Sequence, residues 1–467
     1  MTAADTGIGT CPDRRGGALL LLGAMLGGRY PAMIPAAHAR GLAVLGIDGD
    51  TPRARRFDLA RREVPGHPLA GLDGLAWIDG DQQEQIVQQA LDWHAACGVR
   101  GVIAYGEDYV EAAALVADLL GLPGPGLRAA RVCRNKLLQR RYLPGWSPQC
   151  ELVGPADRTE LAAQWSAYPA VLKPLDGSAS SGVERIDGAA RLAGALAARP
   201  AGMPLLLEQL VEGHELSVES VLHRGEVLFA CPTGKRTNER QDGDPRACYF
   251  VELGHTVPDC ELDDAARAAV LQANADVLRR LDFRDGIAHA EYRIAADGRP
   301  WLMEIAARPA GDNILTLYHL ATGKPLEELI LAVALDEEAA YPQPSRCARQ
   351  VYLPHRPGVL RDVTAPGLTT EISWLTKQWM WPDIRPLAPG QPAAVRMIVV
   401  GRAAGDELGE IRSSSDRSVM YVVDAPTPAG LDELQARGDA AVTIHVEAAD
   451  HPRRDSDLNR EQDAVAR

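Results

Sequence analysis

The 467-residue sequence lacks the patterns that mark several large classes of protein. Its eight cysteines are spread along the chain without a CxxC pair, which excludes a disulfide framework and a zinc site and is typical of a reducing compartment. No segment reaches the ~18 apolar residues of a membrane span, and no internal repeat is present. Lys and Arg number 49 against 63 Asp and Glu, so the net charge is −14, and there is no long basic run. These absences predict a protein that binds neither nucleic acid nor a membrane.

The N-terminal segment supports two interpretations. An arginine pair at 14–15 precedes the apolar stretch 18–26, and residues 37–39 resemble a small-residue cleavage site, so the segment imitates a twin-arginine or secretory signal. The same stretch also predicts a buried strand at Ala18 to Leu22 that is followed by a second strand at Leu42 to Ile47. We favour the strands, and with them a cytoplasmic protein, because cleavage after residue 39 would separate the second strand from its neighbour.

The length suggests roughly three domains at about 150 residues per domain. Alternating strand and helix patterns with short Gly turns predict a parallel α/β domain at the N-terminus. Two Pro-containing stretches, 121–126 and 341–345, then mark domain boundaries. The predicted divisions are an α/β domain over 1–128, a central domain over 129–345, a small β-rich α+β domain over 346–445, and a charged tail over 446–467 that we expect to be disordered.

A lysine and a Gly/Ser loop are candidates for phosphate binding. Lys173 ends an apolar strand, and the loop 177–182 follows four residues later. Backbone N–H groups, hydroxyls and an ammonium at close range suit a triphosphate. Neither GxxxxGK[ST] nor GxGxxG occurs, so the loop by itself is more typical of a flexible linker than of a phosphate site. Lys136, which lies on a basic amphipathic segment over 131–142, would by itself be a solvated helix lysine.

A hairpin with two glutamates gives the sharpest prediction. Asp297-Gly298 between two apolar runs predicts a two-residue turn, in which paired residue numbers sum to 595. Glu291 and Glu304 then lie directly opposite each other, with Cβ atoms roughly 4.5–5.5 Å apart. Such a pair of like charges needs a cation, and Mg²⁺ binds carboxylate and phosphate oxygens together. Strand alternation adds Arg308 to the same face, where it could stabilise a transferred phosphoryl group. The alternative is a solvent-facing hairpin with ordinary surface charges.

The order of these elements resembles the ATP-grasp superfamily. Within it, Phe250 to Pro258 and Glu304 to Gly311 resemble the signature of carboxylate–amine ligases of the L-amino acid ligase type, which are dipeptide synthetases. The resemblance covers about residues 16–340 well and the C-terminal domain only loosely. It implies an α/β and α+β multidomain protein with a Rossmann-like pre-ATP-grasp domain, a central ATP-grasp fold with a lid over about 136–207, and a small C-terminal domain.

The resemblance also implies roles for individual residues. The segment from Glu208 to Val211 would bind the adenine, largely through backbone groups, and Glu215 would bind the ribose. The implied set is Lys136, Lys173, Gly177, Ser178, Ser180, Ser181, Gly182, Glu208, Gln209, Leu210, Val211 and Glu215 for ATP, Glu291 and Glu304 for the metal, Arg308 and Gly311 for catalysis, and His255 and Asp312 for the substrate.

Three positions in this set leave alternatives open. Ala306 stands where many ATP-grasp enzymes have an asparagine as a further metal ligand, so a third protein ligand is in doubt. Asp312 replaces a bulky residue of some relatives, which suggests a roomier or cation-accepting pocket. His255 could equally be a buried histidine that is satisfied by hydrogen bonds.

The resemblance implies an enzyme that uses ATP and Mg²⁺, which Mn²⁺ could replace. ATP would convert a small-molecule carboxylate to an acyl phosphate, and an amine would then displace phosphate to form an amide. The substrates would be amino acids or similar molecules of specialised metabolism, and a homodimer is expected. The sequence names no general base for the amine. A bicarbonate-activating carboxylase component and a non-catalytic nucleotide-binding module are the alternatives.

Overall fold

A computed structural model describes residues 16–78, 82–154, 156, 158–175, 180–239 and 249–448. The N-terminal part contains a parallel four-stranded sheet in the order β3-β2-β1-β4. One of its two inner strands is the predicted segment Ala18 to Leu22, whose side chains are fully buried, so the strand interpretation is confirmed. The elements are β1 (Ala18–Leu22), α1 (Met33–Ala39), β2 (Ala43–Gly49), α2 (Pro52–Glu63), β3 (Gly74–Ile78), α3 (Gln83–Cys97), β4 (Val99–Ala104) and α4 (Val110–Leu120).

An antiparallel four-stranded sheet follows in the order β5-β8-β6-β7. The basic segment predicted over 131–142 contains the end of one helix and the whole of the next, because the Asn135 side chain accepts a hydrogen bond from the N–H of Leu138 and starts a new helix. The elements are α5 (Leu127–Cys133), α6 (Lys136–Tyr142), β5 (Cys150–Val153), α7 (Arg158–Gln164), β6 (Ala170–Pro174), β7 (Glu184–Ile186), α8 (Ala189–Ala198) and β8 (Leu205–Gln209).

The main sheet has nine strands in the order β13-β12-β9-β10-β11-β14-β19-β17-β16. Its first five strands, together with three helices, come from the predicted central domain. The helix α9 buries Val270, Val277 and Leu281 against this sheet. The elements are β9 (His214–His223), β10 (Glu226–Thr237), β11 (Glu252–Val257), α9 (Asp264–Leu281), β12 (Gly286–Ile294), β13 (Pro300–Ala306), α10 (Ile314–Thr322) and α11 (Leu326–Ala334).

The C-terminal part continues the same sheet, since β14 pairs with β11. No break in the sheet therefore coincides with the predicted boundary near residue 345, and the domain limits stay a prediction. The strand β20 pairs with β15 and ends two residues inside the predicted tail, most of which lies outside the described residues. The elements are β14 (Cys347–Leu353), β15 (Gly358–Thr364), β16 (Ile372–Trp374), α12 (Leu375–Gln378), β17 (Ala394–Val400), β18 (Glu407–Leu408), β19 (Val419–Ala425), α13 (Pro428–Ala441) and β20 (Thr443–Glu447).

The glutamate hairpin has the predicted pairing but not the predicted turn. The N–H of Ala295 donates to the carbonyl of Arg299 at 3.1 Å, and the N–H of Gly298 donates to the carbonyl of Ala295 at 2.8 Å, so three residues instead of two connect the strands. From the turn as far as Tyr292, the paired residue numbers sum to 594 instead of the predicted 595. The register then shifts by one residue between Tyr292 and Glu291. This bulge restores the pairing of Glu291 with Glu304.

The helices of the described ranges do not include a membrane span. None of them combines the length and the apolar character that a span requires.

Candidate active site

The predicted site residues from distant parts of the sequence line one cavity. This cavity encloses about 1030 Å³, including space open to solvent. Its lining includes residues of β6 and β8 from the four-stranded antiparallel sheet and residues of β12 and β13 from the nine-stranded sheet. The predicted residues that line it are Lys136, Lys173, Ser180, Ser181, Glu208, Gln209, Leu210, Val211, Glu215, Glu291, Glu304 and Arg308.

The remaining predicted residues lie elsewhere. Gly182, Gly311, His255 and Asp312 are not in the lining of this cavity. A Cβ atom built on Gly311 would meet no atom within 4 Å, so the backbone there borders open space. Gly177 and Ser178 lie outside the described residues.

Lys173 is held by the carboxylate of Glu208. The Lys173 Nζ lies 2.6 Å from Glu208 Oε2, and Arg140 binds the other carboxylate oxygen. Burial opposes ionisation of Glu208, but the two cations outweigh it and lower its pKa to about 2. The pKa of Lys173 is lowered, and burial is the largest cause. The negative charge of Glu208 partly opposes this shift. The Glu208 carboxylate is therefore occupied by Lys173 and Arg140. Any contact of the segment 208–211 with an adenine would come from backbone groups.

The two paired glutamates each contact a lysine. Lys136 Nζ lies 3.0 Å from Glu304 Oε1, and Lys235 Nζ lies 2.6 Å from Glu291 Oε1. Lys235 is buried and also lies 3.3 Å from Glu252 Oε1. Burial would lower the pKa of Lys235, but Glu291 and its neighbours raise it above its usual value. The glutamate side chains are only 23% and 30% exposed, so the solvent-facing alternative for the hairpin is not observed.

A histidine in the cavity lies beside the glutamate pair. His289 is paired across the strands with Ala306, the position that lacks the asparagine. Its Nε2 lies 3.1 Å from Glu291 Oε1, and its Nδ1 lies 2.7 Å from Oε1 of the buried Glu219. Burial opposes protonation of His289, but Glu219 and Glu291 raise its pKa to about 9.

Arg308 binds a carboxylate of the N-terminal part. Its Nε donates to Glu107, which follows β4, and Glu107 also lies 3.1 Å from Arg134 Nη1. Burial would raise the pKa of Glu107, but the two guanidinium groups hold it below its usual value. The segment that follows the N-terminal strand β4 therefore holds an arginine of the cavity wall.

The predicted nucleotide segment makes contacts of its own. The N–H groups of Gln209 and Leu210 donate to the carbonyls of Gln149 and Pro169, both at 2.9 Å. Arg293 Nη2 lies 2.6 Å from Glu215 Oε2, and Arg293 Nη1 donates to the carbonyl of Val211 at 2.9 Å. Adenine and ribose contacts at this segment stay a prediction.

Part of the Gly/Ser loop is anchored to neighbouring chain. The Ser180 hydroxyl donates to the carbonyl of Phe250 at 2.8 Å, and Arg199 donates to the carbonyl of Gly182 at 2.9 Å. Gly182 has φ +69°, where a Cβ would lie 3.2 Å from Pro174 Cγ. Glycine is therefore required at the end of this loop.

The substrate candidates form a second polar cluster on the same face of the sheet. His255 Nε2 lies 2.8 Å from Asp312 Oδ2. Tyr352 and Arg417 also bind Asp312, and burial of this carboxylate is outweighed by Arg417 and His255, so its pKa lies well below its usual range. The cation that Asp312 accepts in the structure is thus the chain's own Arg417. His255 is buried, as the alternative interpretation requires, but among the residues that the structure describes only one of its ring nitrogens has a hydrogen-bond partner.

The donor set of the cavity fits Mg²⁺ together with phosphates. Glu291 and Glu304 face each other and present carboxylate oxygens, which are the hard ligands that Mg²⁺ prefers. Among the described residues, no group of three acidic, His or Cys side chains is placed to hold a metal ion without further ligands. Mg²⁺ is commonly bound by one or two carboxylates plus substrate phosphates, so this incomplete set suits a metal that arrives with a nucleotide.

Four functional candidates were missed by sequence reasoning. Lys235, His289, Glu107 and Arg417 reach the two clusters through long-range strand pairing and packing. His289 had a local signal, because it lies two residues before Glu291 and therefore on the same strand face. The other three lie outside the motifs that point to the site.

Comparisons with known proteins agree with this geometry. Residues 166–317 match the model of the ATP-grasp domain family. A D-alanine–D-alanine ligase from Paracidovorax citrulli is 28% identical over 275 residues, which is 56% of this chain and 80% of the relative.

Two solved structures share the fold over most of the chain. The L-amino acid ligase from Bacillus licheniformis has a TM-score of 0.68 at 19% identity and covers 93% of this chain and 99% of its own. The biotin carboxylase domain of the Hydrogenobacter thermophilus 2-oxoglutarate carboxylase, solved with MgADP and bicarbonate, has a TM-score of 0.60 at 14% identity and covers 92% and 91%. The expected ATP-grasp fold is confirmed, and residues 166–317 of this chain match the ATP-grasp domain.

Proposed function

We propose that the protein is an ATP-dependent ligase that joins a carboxylate and an amine through an acyl phosphate, with release of ADP and phosphate. The observation that carries the proposal is the pairing of Glu291 with Glu304 in a cavity that also contains Lys136, Lys173 and Arg308. Two carboxylates can hold Mg²⁺, and three cations can neutralise phosphates. The ligase names of the similar D-alanine–D-alanine and L-amino acid enzymes support this class of reaction.

The lysines would bind the phosphates of ATP. Lys136 and Lys235 now contact the two metal-binding glutamates. Because an ammonium group is a compact charge on a flexible stem, both can turn from carboxylate to phosphate oxygens. When it is bound, Mg²⁺ supplies charge neutralisation between the glutamates and the phosphates. Mn²⁺ would serve in the same place, since it accepts the same oxygen ligands.

Arg308 would stabilise the transferred phosphoryl group. It lies beyond Glu304 on the face that lines the cavity, and Glu107 orients its guanidinium group. Negative charge develops on the oxygens of the phosphoryl group during its transfer to the substrate carboxylate, and a fixed arginine stabilises such charge. The open space beside Gly311 would receive the acyl phosphate.

The substrates would be two amino acids, or a carboxylate and an amine of similar size from specialised metabolism. The experiment is to measure phosphate release from ATP over a matrix of carboxylates and amines, with product masses recorded. We expect release that needs both partners and a product mass equal to their sum less water.

A Glu304→Gln variant is the matched control. It keeps the shape of the side chain but removes a metal-binding charge, so we expect turnover to fall by at least about 10²-fold while the protein stays folded. Full activity of the variant would contradict the metal assignment. Release that depends on bicarbonate alone would instead indicate a carboxylase component, and Mg²⁺-dependent ATP binding without any release would indicate a binding module.

A further inference from the structure

His255 has the arrangement of a proton acceptor rather than of a satisfied core histidine. Its Nε2 lies 2.8 Å from Asp312 Oδ2. Its Nδ1 is buried and forms no hydrogen bond to any residue that the structure describes. A buried ring nitrogen without a partner is unfavourable because it has lost its hydrogen bonds to water, so its presence calls for a function.

The hydrogen bonds to Asp312 determine which ring nitrogen of His255 carries the proton. Each oxygen of Asp312 accepts from Arg417, at 2.8 and 3.0 Å, and Tyr352 donates to Oδ1 at 2.8 Å. The carboxylate therefore stays ionised and accepts a hydrogen bond from His255 Nε2–H. In the neutral ring, Nδ1 must then carry the lone pair.

The backbone at Asp312 supports a functional role for this geometry. Asp312 has φ +52°, a left-handed conformation that non-glycine residues adopt uncommonly. Such conformations concentrate at functional sites, where the surrounding contacts hold them. Here Arg417, Tyr352 and His255 supply those contacts.

The location of His255 connects it with the phosphate cavity. His255 on β11 is paired with Lys235 on β10, so their Cβ atoms lie about 4.5–5.5 Å apart on one face of the sheet. The ammonium of Lys235 reaches Glu291. Asp312 follows Arg308 by four residues, which places it within about 14 Å of the proposed phosphoryl-transfer group along the chain.

We propose that His255 is the general base that accepts a proton from the attacking amine, with Asp312, Arg417 and Tyr352 as positioning residues. This inference rests on the proposed function and supplies the base that it lacks. An ammonium substrate loses one proton to His255 Nδ1, and the nitrogen lone pair forms the C–N bond. The bond from carbon to the phosphate oxygen breaks, phosphate leaves with that electron pair, and it carries away the second proton.

Other groups near His255 do not offer the same chemistry. Lys235 lies across the strand on one side, and Gln350 lies across the strand on the other. Lys235 is bound to three carboxylates and is held protonated, and Gln350 does not titrate. Glu252 is bound by Lys235 and Ser414. His255 is therefore the group of this cluster with a free lone pair.

The experiment uses two nucleophiles that differ in their need for a base. The full-length enzyme is given ATP, Mg²⁺ and a productive carboxylate, with either its ordinary amine or hydroxylamine, which is already unprotonated at neutral pH. In His255→Gln we expect amide formation to fall by about 10²–10⁴-fold, since this is the usual contribution of a general base. Hydroxamate formation should change by less than about threefold, because acyl-phosphate formation and an unprotonated nucleophile need no base.

A second variant tests the positioning of the ring. In Asp312→Asn the amide can hold the other tautomer, so we expect the same selective loss of amide formation and an altered pH dependence of that step. Nucleotide-dependent thermal stabilisation of both variants checks that they fold and bind ATP. Equal losses with both nucleophiles, or no loss with either, would overturn the inference. A wild-type enzyme that forms neither product would overturn the proposed function itself.

Discussion

The two polar clusters differ in the cations that hold their carboxylates, although Arg140 also binds Glu208 of the cavity. In the cavity, three glutamates each contact a lysine. In the second cluster, Asp312 is held by the guanidinium group of Arg417. The cavity pairs are Glu208–Lys173, Glu291–Lys235 and Glu304–Lys136.

The difference in partner indicates a difference in task. A lysine ammonium can rotate and exchange one oxygen ligand for another, whereas an arginine presents a planar fork that fixes a carboxylate in two places. The cavity is thus suited to release its lysines to a ligand. The second cluster is suited to keep Asp312, and through it His255, in one orientation.

The largest expected effect comes from removing a lysine of the cavity. Lys173→Met keeps the length of the side chain but leaves Glu208 with Arg140 alone and removes one of the ammonium groups that would neutralise a phosphate. We expect phosphate release to fall by about 10²–10³-fold, which is typical for loss of one electrostatic donor. Steady-state phosphate release measures it, with the exposed Lys324→Met as control. Unchanged release in Lys173→Met would remove this lysine from the phosphate site.

A smaller and more selective effect is expected in the second cluster. Arg417→Lys keeps the charge but loses the guanidinium group that binds both oxygens of Asp312. The Asp312 carboxylate and the His255 ring would therefore be oriented less well. We expect amide formation to fall about tenfold, while hydroxamate formation and the binding of ATP stay near wild type. Parallel assays with the two nucleophiles measure this, and the exposed Arg412→Lys is the control. An equal loss in both assays would show that Arg417 acts on the whole site.

The smallest effect is expected at a carboxylate that has neither kind of partner. Glu327 is buried in α11 and, within the described part of the chain, forms no ion pair. Burial raises its pKa to about 7. The folded state binds this proton more tightly than the unfolded state, so its stability is full below about pH 4.5 and falls as the pH rises through 7.

Glu327→Gln should therefore stabilise the protein at pH 8 by about 1–2 kcal/mol and flatten the pH dependence between about pH 4.5 and pH 7. Denaturant unfolding at pH 5 and pH 8 measures this. Glu328→Gln is the matched control, because that side chain is 43% exposed. A Glu327→Gln variant that is no more stable than wild type at pH 8 would show that the buried carboxylate carries no energetic penalty when it ionises.

The local pattern of apolar and charged residues in the sequence was enough to predict two of the structural elements. The apolar run at Ala18 to Leu22 and the glutamate hairpin were both predicted, and Glu291 faces Glu304 as expected. The turn prediction was nevertheless wrong, and the pairing holds because a bulge compensates for the longer turn. A bulge depends on neighbouring strands, so the sequence of the hairpin alone does not reveal it.

The contacts of the second cluster could not be predicted from local sequence pattern. Arg417 lies 105 residues after Asp312, and Tyr352 lies 40 residues after it. Their contacts arise because β14 pairs with β11 and β19 pairs with β14, and no motif in the sequence specifies these pairings. His255 and Asp312 were singled out by resemblance, but the partner that fixes their geometry emerges only from the sheet.

The unbroken nine-stranded sheet also determines where this chain can be divided. A polypeptide ending in the Pro-containing stretch 341–345 would look complete by sequence, yet it would strip β11 of its neighbour β14. Four paired positions along β11, including His255, would then become an open strand edge that can recruit other chains. Aggregation, rather than a smaller active enzyme, is the expected product of that division.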